Sequence, residues 1–172
     1  CKWPVCEPLP GIRVNEMLGA TSPLAMLSLY DDPSLQWMAS RAFVERKFNL
    51  QEERLASPKR MPHDRIRIGY LSGDLCTHAV GLLMADLIEA HDKNKFEIYA
   101  FDFSPEDGTA YRARLKRAFD HFLDIRNLDD RRAALIIRQL EIDILIDLHG
   151  LSSGSRPGDR KSTRLNFSHT DI

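Results

Sequence analysis

Cysteine is scarce in this 172-residue chain: Cys1, Cys6 and Cys76 neither pair up evenly nor keep a Cys-x-x-Cys spacing. That excludes a disulfide framework and makes a reducing, cytoplasmic setting the expectation. An excess of one charge is also lacking. Lys and Arg number 24 against 25 for Asp and Glu, a formal net charge of -1, and the basic residues are interspersed with acids, so nothing argues for nucleic acid as a partner. No apolar run approaches membrane-spanning length and no charged segment precedes an apolar one, so neither a transmembrane helix nor a signal peptide is read, and no membrane partner is expected. The chain opens on Cys1 rather than Met, which leaves room for a lost N-terminal segment. Gly69 and Gly73 do not complete a Gly-x-Gly-x-x-Gly fingerprint, and no Walker A loop is present, so nicotinamide and P-loop chemistry lack support. An Asp-x-Asp triplet and a Cys/His cluster are missing too, so no metal and no cofactor is expected.

What is present is a chain with 43% hydrophobic residues, long enough for one sizeable core and an appendage. Residues 1–56 read as a helical annex. Its clearest signal is Asp32 as N-cap with Pro33 at the first helical position, followed by Leu35, Trp37, Met38, Ala42 and Phe43. Polar residues with two prolines follow, and 57–64 are taken as linker. From Arg65 the pattern alternates: strand 65–72, helix 78–91, strand 96–103, helix 107–119, short strand 121–125, helix 128–140 and strand 142–149. Val80, Leu83, Met84, Leu87 and Ile88 recur at helical spacing, whereas Ile142, Ile144, Leu145, Ile146 and Leu148 form the near-continuous apolar run of a strand covered on both faces. The expected fold class is therefore α/β, a Rossmann-like parallel sheet over 65–158. In the common strand order 3-2-1-4, the first and fourth strands are neighbours and the topological switch point lies between their carboxyl ends. Residues 159–172 are set apart: Asp159 to His169 match the translation of a common sequencing-adapter oligonucleotide with Phe167 the one departure, so natural sequence is expected to stop near Gly158.

That topology gives the candidate site. Ser72, Gly73 and Asp74 leave the first strand, and His78 opens the following helix, where backbone N–H groups and the helix dipole favour an anion or a leaving group gaining negative charge. An imidazole there can accept a proton near neutral pH, as a base or an orienting partner; the plain alternative is a solvated residue of a first helical turn. Asp74 can hold a ligand hydroxyl, orient His78 or merely cap the loop. Asp147 and His149 share one face of the fourth strand by period-two alternation, and a charge on an apolar strand is costly unless paired. A structural ion pair from Asp147 to an N-terminal arginine is the alternative there. Gly150, Ser152, Ser153 and Gly154 offer a flexible loop beyond. His63, His91 and His121 read as surface or element-end residues. The Ser104–Thr109 segment reads as a turn with a helix start that is also able to reach the crevice.

The run Ile68-Gly69-Tyr70-Leu71-Ser72-Gly73-Asp74 through His78, the segment Phe101-Asp102-Phe103-Ser104-Pro105-Glu106-Asp107-Gly108-Thr109, and Ile144-Leu145-Ile146-Asp147-Leu148-His149-Gly150 with Gly154 and Arg156 together resemble the protein O-linked N-acetylglucosamine (O-GlcNAc) transferase family, bacterial tetratricopeptide-repeat branch. The likeness covers about residues 15–158, and Pro23–Leu27 with Asp31-Asp32-Pro33 resembles that family's connection from repeats to catalytic region. It implies the first lobe of a GT-B glycosyltransferase that moves N-acetylglucosamine from UDP-GlcNAc to Ser or Thr hydroxyls of a protein or peptide acceptor, inverting and metal-independent. It also implies a catalytic role for His78 in positioning or deprotonating the acceptor, and a substrate-binding wall made by Ser72, Gly73, Asp74, Asp147, His149 and Gly150. The second lobe, which supplies most nucleotide-sugar contacts in that family, and the repeats are not in this sequence, so the chain alone is expected to be inactive. Two rival readings stand beside this one: a non-catalytic α/β interaction module, and a related GT-B transferase using another nucleotide-sugar donor.

Overall fold

The computed structural model describes residues 10–47 and 63–151, which fall into two compact units. The first is helical: α1 (Val14–Ala20), α2 (Pro23–Leu29) and α3 (Pro33–Lys47). Local chemistry sets its boundaries. Ser22 Oγ accepts the Ala25 N–H with Pro23 in the first turn of α2, and Asp32 Oδ1 accepts the Ser34 N–H at the start of α3, as the sequence indicated. Met26 and Ala39 form its small buried centre, with Tyr30 and Leu35 against them. Trp37, expected among the apolar positions after the cap, is 60% exposed, because Ala39 turns the packed face of α3 away from it.

The second unit is the α/β body: β1 (Ile66–Ser72), α4 (Ala79–Glu89), β2 (Phe96–Asp102), α5 (Ala110–Ala118), β3 (His121–Asp124), α6 (Asp130–Gln139) and β4 (Ile144–Asp147). The four strands form one parallel sheet in the order β3-β2-β1-β4, the expected order. Side-chain alternation splits the core in two. Ile68, Tyr70, Ile98 and Ala100 pack on one face with Ile88 of α4 and Ala118 of α5; Leu71, Tyr99, Phe101 and Leu145 pack on the other with Ala133 and Ile137 of α6.

Three expectations need correction. The apolar periodicity of α4 holds only in part: Ile88 is buried and Met84 packs against the core, whereas Leu83 is 79% exposed and the buried face runs through Gly81 and Ala85. Two stripes overlap at helical spacing here, and the one with small residues lets the helix approach the sheet closely. The fourth strand is covered less than its run of aliphatics implied. It is an edge strand among the described residues, and Ile144 is 45% exposed while Leu145 is fully buried. The second helix of the α/β body starts at Ala110 rather than 107, because Asp107 and Gly108 form a turn, with Gly108 at φ +65, and the Thr109 hydroxyl caps the helix through the Arg112 N–H. The linker from 57 to 62, Cys1, Cys6, the loop residues Ser152, Ser153, Gly154 and Arg156, and the 159–172 tail lie outside the described residues.

Candidate functional site

The loop from Gly73 to His78 carries the site, and its path is set from beneath. Fully buried Ser72 accepts the Asp74 N–H on its Oγ at 3.0 Å, so its side chain shapes the turn. Both backbone groups of Leu75 are taken: its N–H donates to Ser104 Oγ at 2.7 Å and its carbonyl accepts Arg112 Nη1 at 2.7 Å. Two residues on, the Thr77 N–H donates to Asp107 Oδ2 at 2.8 Å. The helix that follows presses on this loop, since a Cβ at Gly81 would lie 2.2 Å from the Cys76 carbonyl oxygen.

On that frame His78 is the N-cap of α4, its Nδ1 accepting the Val80 N–H at 3.3 Å, with half of the side chain exposed. Asp74 Oδ2 stands 3.8 Å from the same Nδ1 and 3.1 Å from Nδ1 of His149, whose side chain is only 9% exposed. A single carboxylate thus lies between the two imidazoles that the sequence placed at adjoining strand ends. The β4 partner reaches this point by a short continuation of the ladder, in which the Leu148 N–H donates to the Leu71 carbonyl. The His149 ring packs edge-on to Phe103 at 5.3 Å between centroids. Gly73 makes room for both rings: a Cβ there would come within 2.6 Å of Phe103 and 3.1 Å of His149.

Asp147 has a structural task at the end of its strand. Its Oδ1 accepts the backbone N–H groups of His149 and Gly150 at 2.8 and 3.1 Å, a turn-capping arrangement that fixes the end of β4. Gly150 completes the turn at φ +59, a conformation that L side chains rarely adopt. The other histidines among the described residues serve the body of the fold. His91 bonds the Tyr70 hydroxyl at 3.1 Å, His121 stacks on Tyr99 and pairs with Glu97, and His63 pairs with Glu141. Among the described residues no group of three or more His, Cys, Asp or Glu is placed to hold a metal ion, and no helix is long and apolar enough to cross a membrane.

The sequence did not single out the buried trio below the loop. Asp102, at the carboxyl end of β2, receives the N–H and hydroxyl of Ser104 and Arg112 Nη2 at 2.8 Å; Asp102, Ser104 and Arg112 are all buried. Arg112 also reaches Glu106 at 3.1 Å. Hydrogen bonding from Lys116 and then Arg112 pulls the Glu106 carboxyl down to about 2, and the N–H groups of Thr109 and Thr77 hold Asp107 well below the usual carboxylate range. Burial pushes the Cys76 thiol up, which disfavours its thiolate.

Residues 40–158 match the description of glycosyl transferase family 41. The chain belongs to this family. Two relatives agree with that assignment: the probable UDP-N-acetylglucosamine–peptide N-acetylglucosaminyltransferase SEC of Arabidopsis thaliana, 36% identical over 92 residues, and the UDP-N-acetylglucosamine–peptide N-acetylglucosaminyltransferase of Caenorhabditis elegans, 36% identical over 93 residues. Each alignment covers 54% of this chain but only 9% and 8% of the relative, so the family 41 chain spans about a tenth of the length of those proteins. A mutant O-GlcNAc transferase of Thermobaculum terrenum superposes with a TM-score of 0.63 at 31% identity, over 77% of this chain and 26% of that one. Family 41 and this superposition agree with the α/β lobe read from the sequence.

Proposed function

We propose that this chain is one wall of the cleft of a cytoplasmic protein O-GlcNAc transferase, whose full-length parent moves N-acetylglucosamine from UDP-GlcNAc to Ser or Thr hydroxyls of protein acceptors. One observation carries the reading: in a chain of family 41, Asp74, His78 and His149 converge at the carboxyl ends of neighbouring parallel strands, where doubly wound sheets take their ligands. The names of the two relatives and of the solved neighbour support the donor and the acceptor class. An inverting, metal-independent displacement is part of the same proposal.

The reaction asks the protein to align a hydroxyl with the anomeric carbon and to stabilise charge on the departing diphosphate. His78, half-exposed at the first turn of α4, is the group to meet the attacking hydroxyl, positioning it or taking its proton. The rigid β1–α4 loop keeps that ring in place, and the Asp147-capped turn with Gly150 brings backbone close to the sugar. The second wall must come from sequence beyond this chain, so these 172 residues alone should transfer no sugar.

The test is a UDP titration and a transfer assay with a Ser/Thr peptide, using the full-length parent. The parent should bind UDP and turn over UDP-GlcNAc, and His78→Ala should lower kcat/KM by at least about tenfold, more if the ring takes the proton. A parent that binds no UDP would instead be a protein-interaction module, and undiminished turnover by His78→Ala removes the role given to that residue.

A further inference from the structure

We propose that His149, acting through the Asp74 carboxylate, is a positioning residue that fixes which nitrogen of His78 carries its proton. The geometry stands on its own; its consequence for sugar transfer rests on the function proposed above. Two groups face His78 Nδ1: the Val80 N–H at 3.3 Å and Asp74 Oδ2 at 3.8 Å. A neutral imidazole has one proton, and these neighbours ask for opposite tautomers. The N–H needs a lone pair on Nδ1, which leaves the proton on Nε2. The carboxylate needs the proton on Nδ1, which leaves the lone pair on Nε2. At these distances the backbone donor is within hydrogen-bond range and the carboxylate is beyond it.

His149 accounts for the position of the carboxylate. Its Nδ1 lies 3.1 Å from the same Asp74 oxygen, within ion-pair reach though not aligned as a hydrogen bond, and a carboxylate this close is attracted only by a ring that carries a proton on that nitrogen. The ring has little room to yield, being 9% exposed, packed against Phe103 and seated over the missing Cβ of Gly73. Asp74 is anchored at its other end by the bond from its N–H to Ser72 Oγ. Among the described residues, Asp147 Oδ1 takes the N–H groups of His149 and Gly150, and Asp107 takes those of Thr77 and Thr109. His149 therefore keeps Asp74 back from His78, and His78 caps the helix with Nδ1 while Nε2 bears hydrogen. In this state the ring offers the cleft a donor. It can hold a hydroxyl or phosphate oxygen, and it cannot take the proton of the attacking hydroxyl. Loss of the His149 donor frees the carboxylate to orient His78 the other way, with an unprotonated Nε2, the arrangement that a general base uses.

Imidazole nitrogen-15 spectra of this 172-residue chain, recorded at a pH where both rings are neutral, read the tautomers directly. The expected result is an unprotonated Nδ1 with a protonated Nε2 for His78, and a protonated Nδ1 for His149. His149→Phe, which keeps an aromatic ring and removes the donor, should shift the His78 tautomer ratio toward the Nδ1 proton by about 3- to 10-fold, the weight of one modest hydrogen bond. Adding Asp74→Ala to that variant should abolish the shift. A protonated Nδ1 on His78 in the unaltered chain, or an unchanged ratio in His149→Phe, overturns the proposal. Should His149→Phe not fold, the unaltered chain alone decides: an unprotonated Nδ1 on His149, or a protonated Nδ1 on His78, overturns the proposal. No sugar nucleotide enters this measurement, so its failure leaves the transferase reading standing, and a failure of UDP binding leaves the tautomer assignment standing.

Discussion

Replacing Arg112 with Met tests whether the loop that carries Asp74 and His78 is held by the buried trio beneath it. Arg112 is 1% exposed and Asp102 is fully buried, with 2.8 Å between their charged atoms. The substitution leaves the Asp102 carboxylate in the interior with only the N–H and hydroxyl of Ser104, and strips the Leu75 carbonyl of its donor. Breaking a buried pair by removing one partner costs about 3–5 kcal/mol, and the stranded carbonyl adds about 1 kcal/mol. Against a total of about 5–15 kcal/mol for a domain, that is a large share. With a urea slope of about 1.5–2 kcal/mol per M, the unfolding midpoint followed by circular dichroism should fall by roughly 2–4 M. Amide exchange of Leu75 should quicken in step, because the carbonyl of the same residue is released. The double variant Arg112→Met with Asp102→Asn removes the stranded charge and should recover much of the loss. A midpoint drop under about 0.5 M in the single variant, or a double variant no more stable than the single, would refute the reasoning.

Gly81→Ala should be costly for a different reason: the new Cβ meets the Cys76 carbonyl oxygen at 2.2 Å and the Asp74 carbonyl oxygen at 2.9 Å, and backbone has little freedom to yield. Overpacking of this kind costs about 1–3 kcal/mol, a fall of about 5–20 °C in melting temperature. Gly19→Ala in α1 meets nothing within 4 Å and should leave the melt unchanged or raise it, so equal losses at the two glycines would count against the steric argument. Acid should loosen the β2–α5 connection. Glu106 is held at about 2 by Lys116 and Arg112, below its unfolded value, so its contribution is present above pH ~4.5 and is lost as the pH falls through about 2. Asp124 behaves alike, at about 2 beside Arg126. Melting temperature should hold steady down to pH ~4.5 and drop below it, with Glu106→Gln flattening part of that drop; an identical acid profile in the variant would discount the Glu106 pairing.

Why some of this was legible in the residues and some was not follows from how each signal is carried along the chain. The strands and the helix cap at Asp32 depend on local periodicity and local hydrogen bonding, which a sequence displays directly, and the strand order is the common one for such units. The meeting of Asp74, His78 and His149 followed from topology alone, because two parallel neighbours present their carboxyl ends together. The buried face of α4 was legible only in part, through Met84 and Ile88, because overlapping apolar stripes satisfy the same period, and close packing through Gly81 and Ala85 decides between them. The trio of Asp102, Ser104 and Arg112 shows the limit most clearly. The rule that an ionisable residue on an apolar strand needs a partner was applied to Asp147, whose Oδ1 caps the turn at the end of β4. It applies with more force to Asp102, which closes the run Phe96-Glu97-Ile98-Tyr99-Ala100-Phe101-Asp102 at a fully buried position. A buried acid at the end of an apolar strand, followed ten residues on by an arginine in the next helix, was the available signal. It predicts support for a neighbouring loop rather than contact with a ligand, because a carboxylate already committed to a guanidinium and a hydroxyl has little left to offer a substrate.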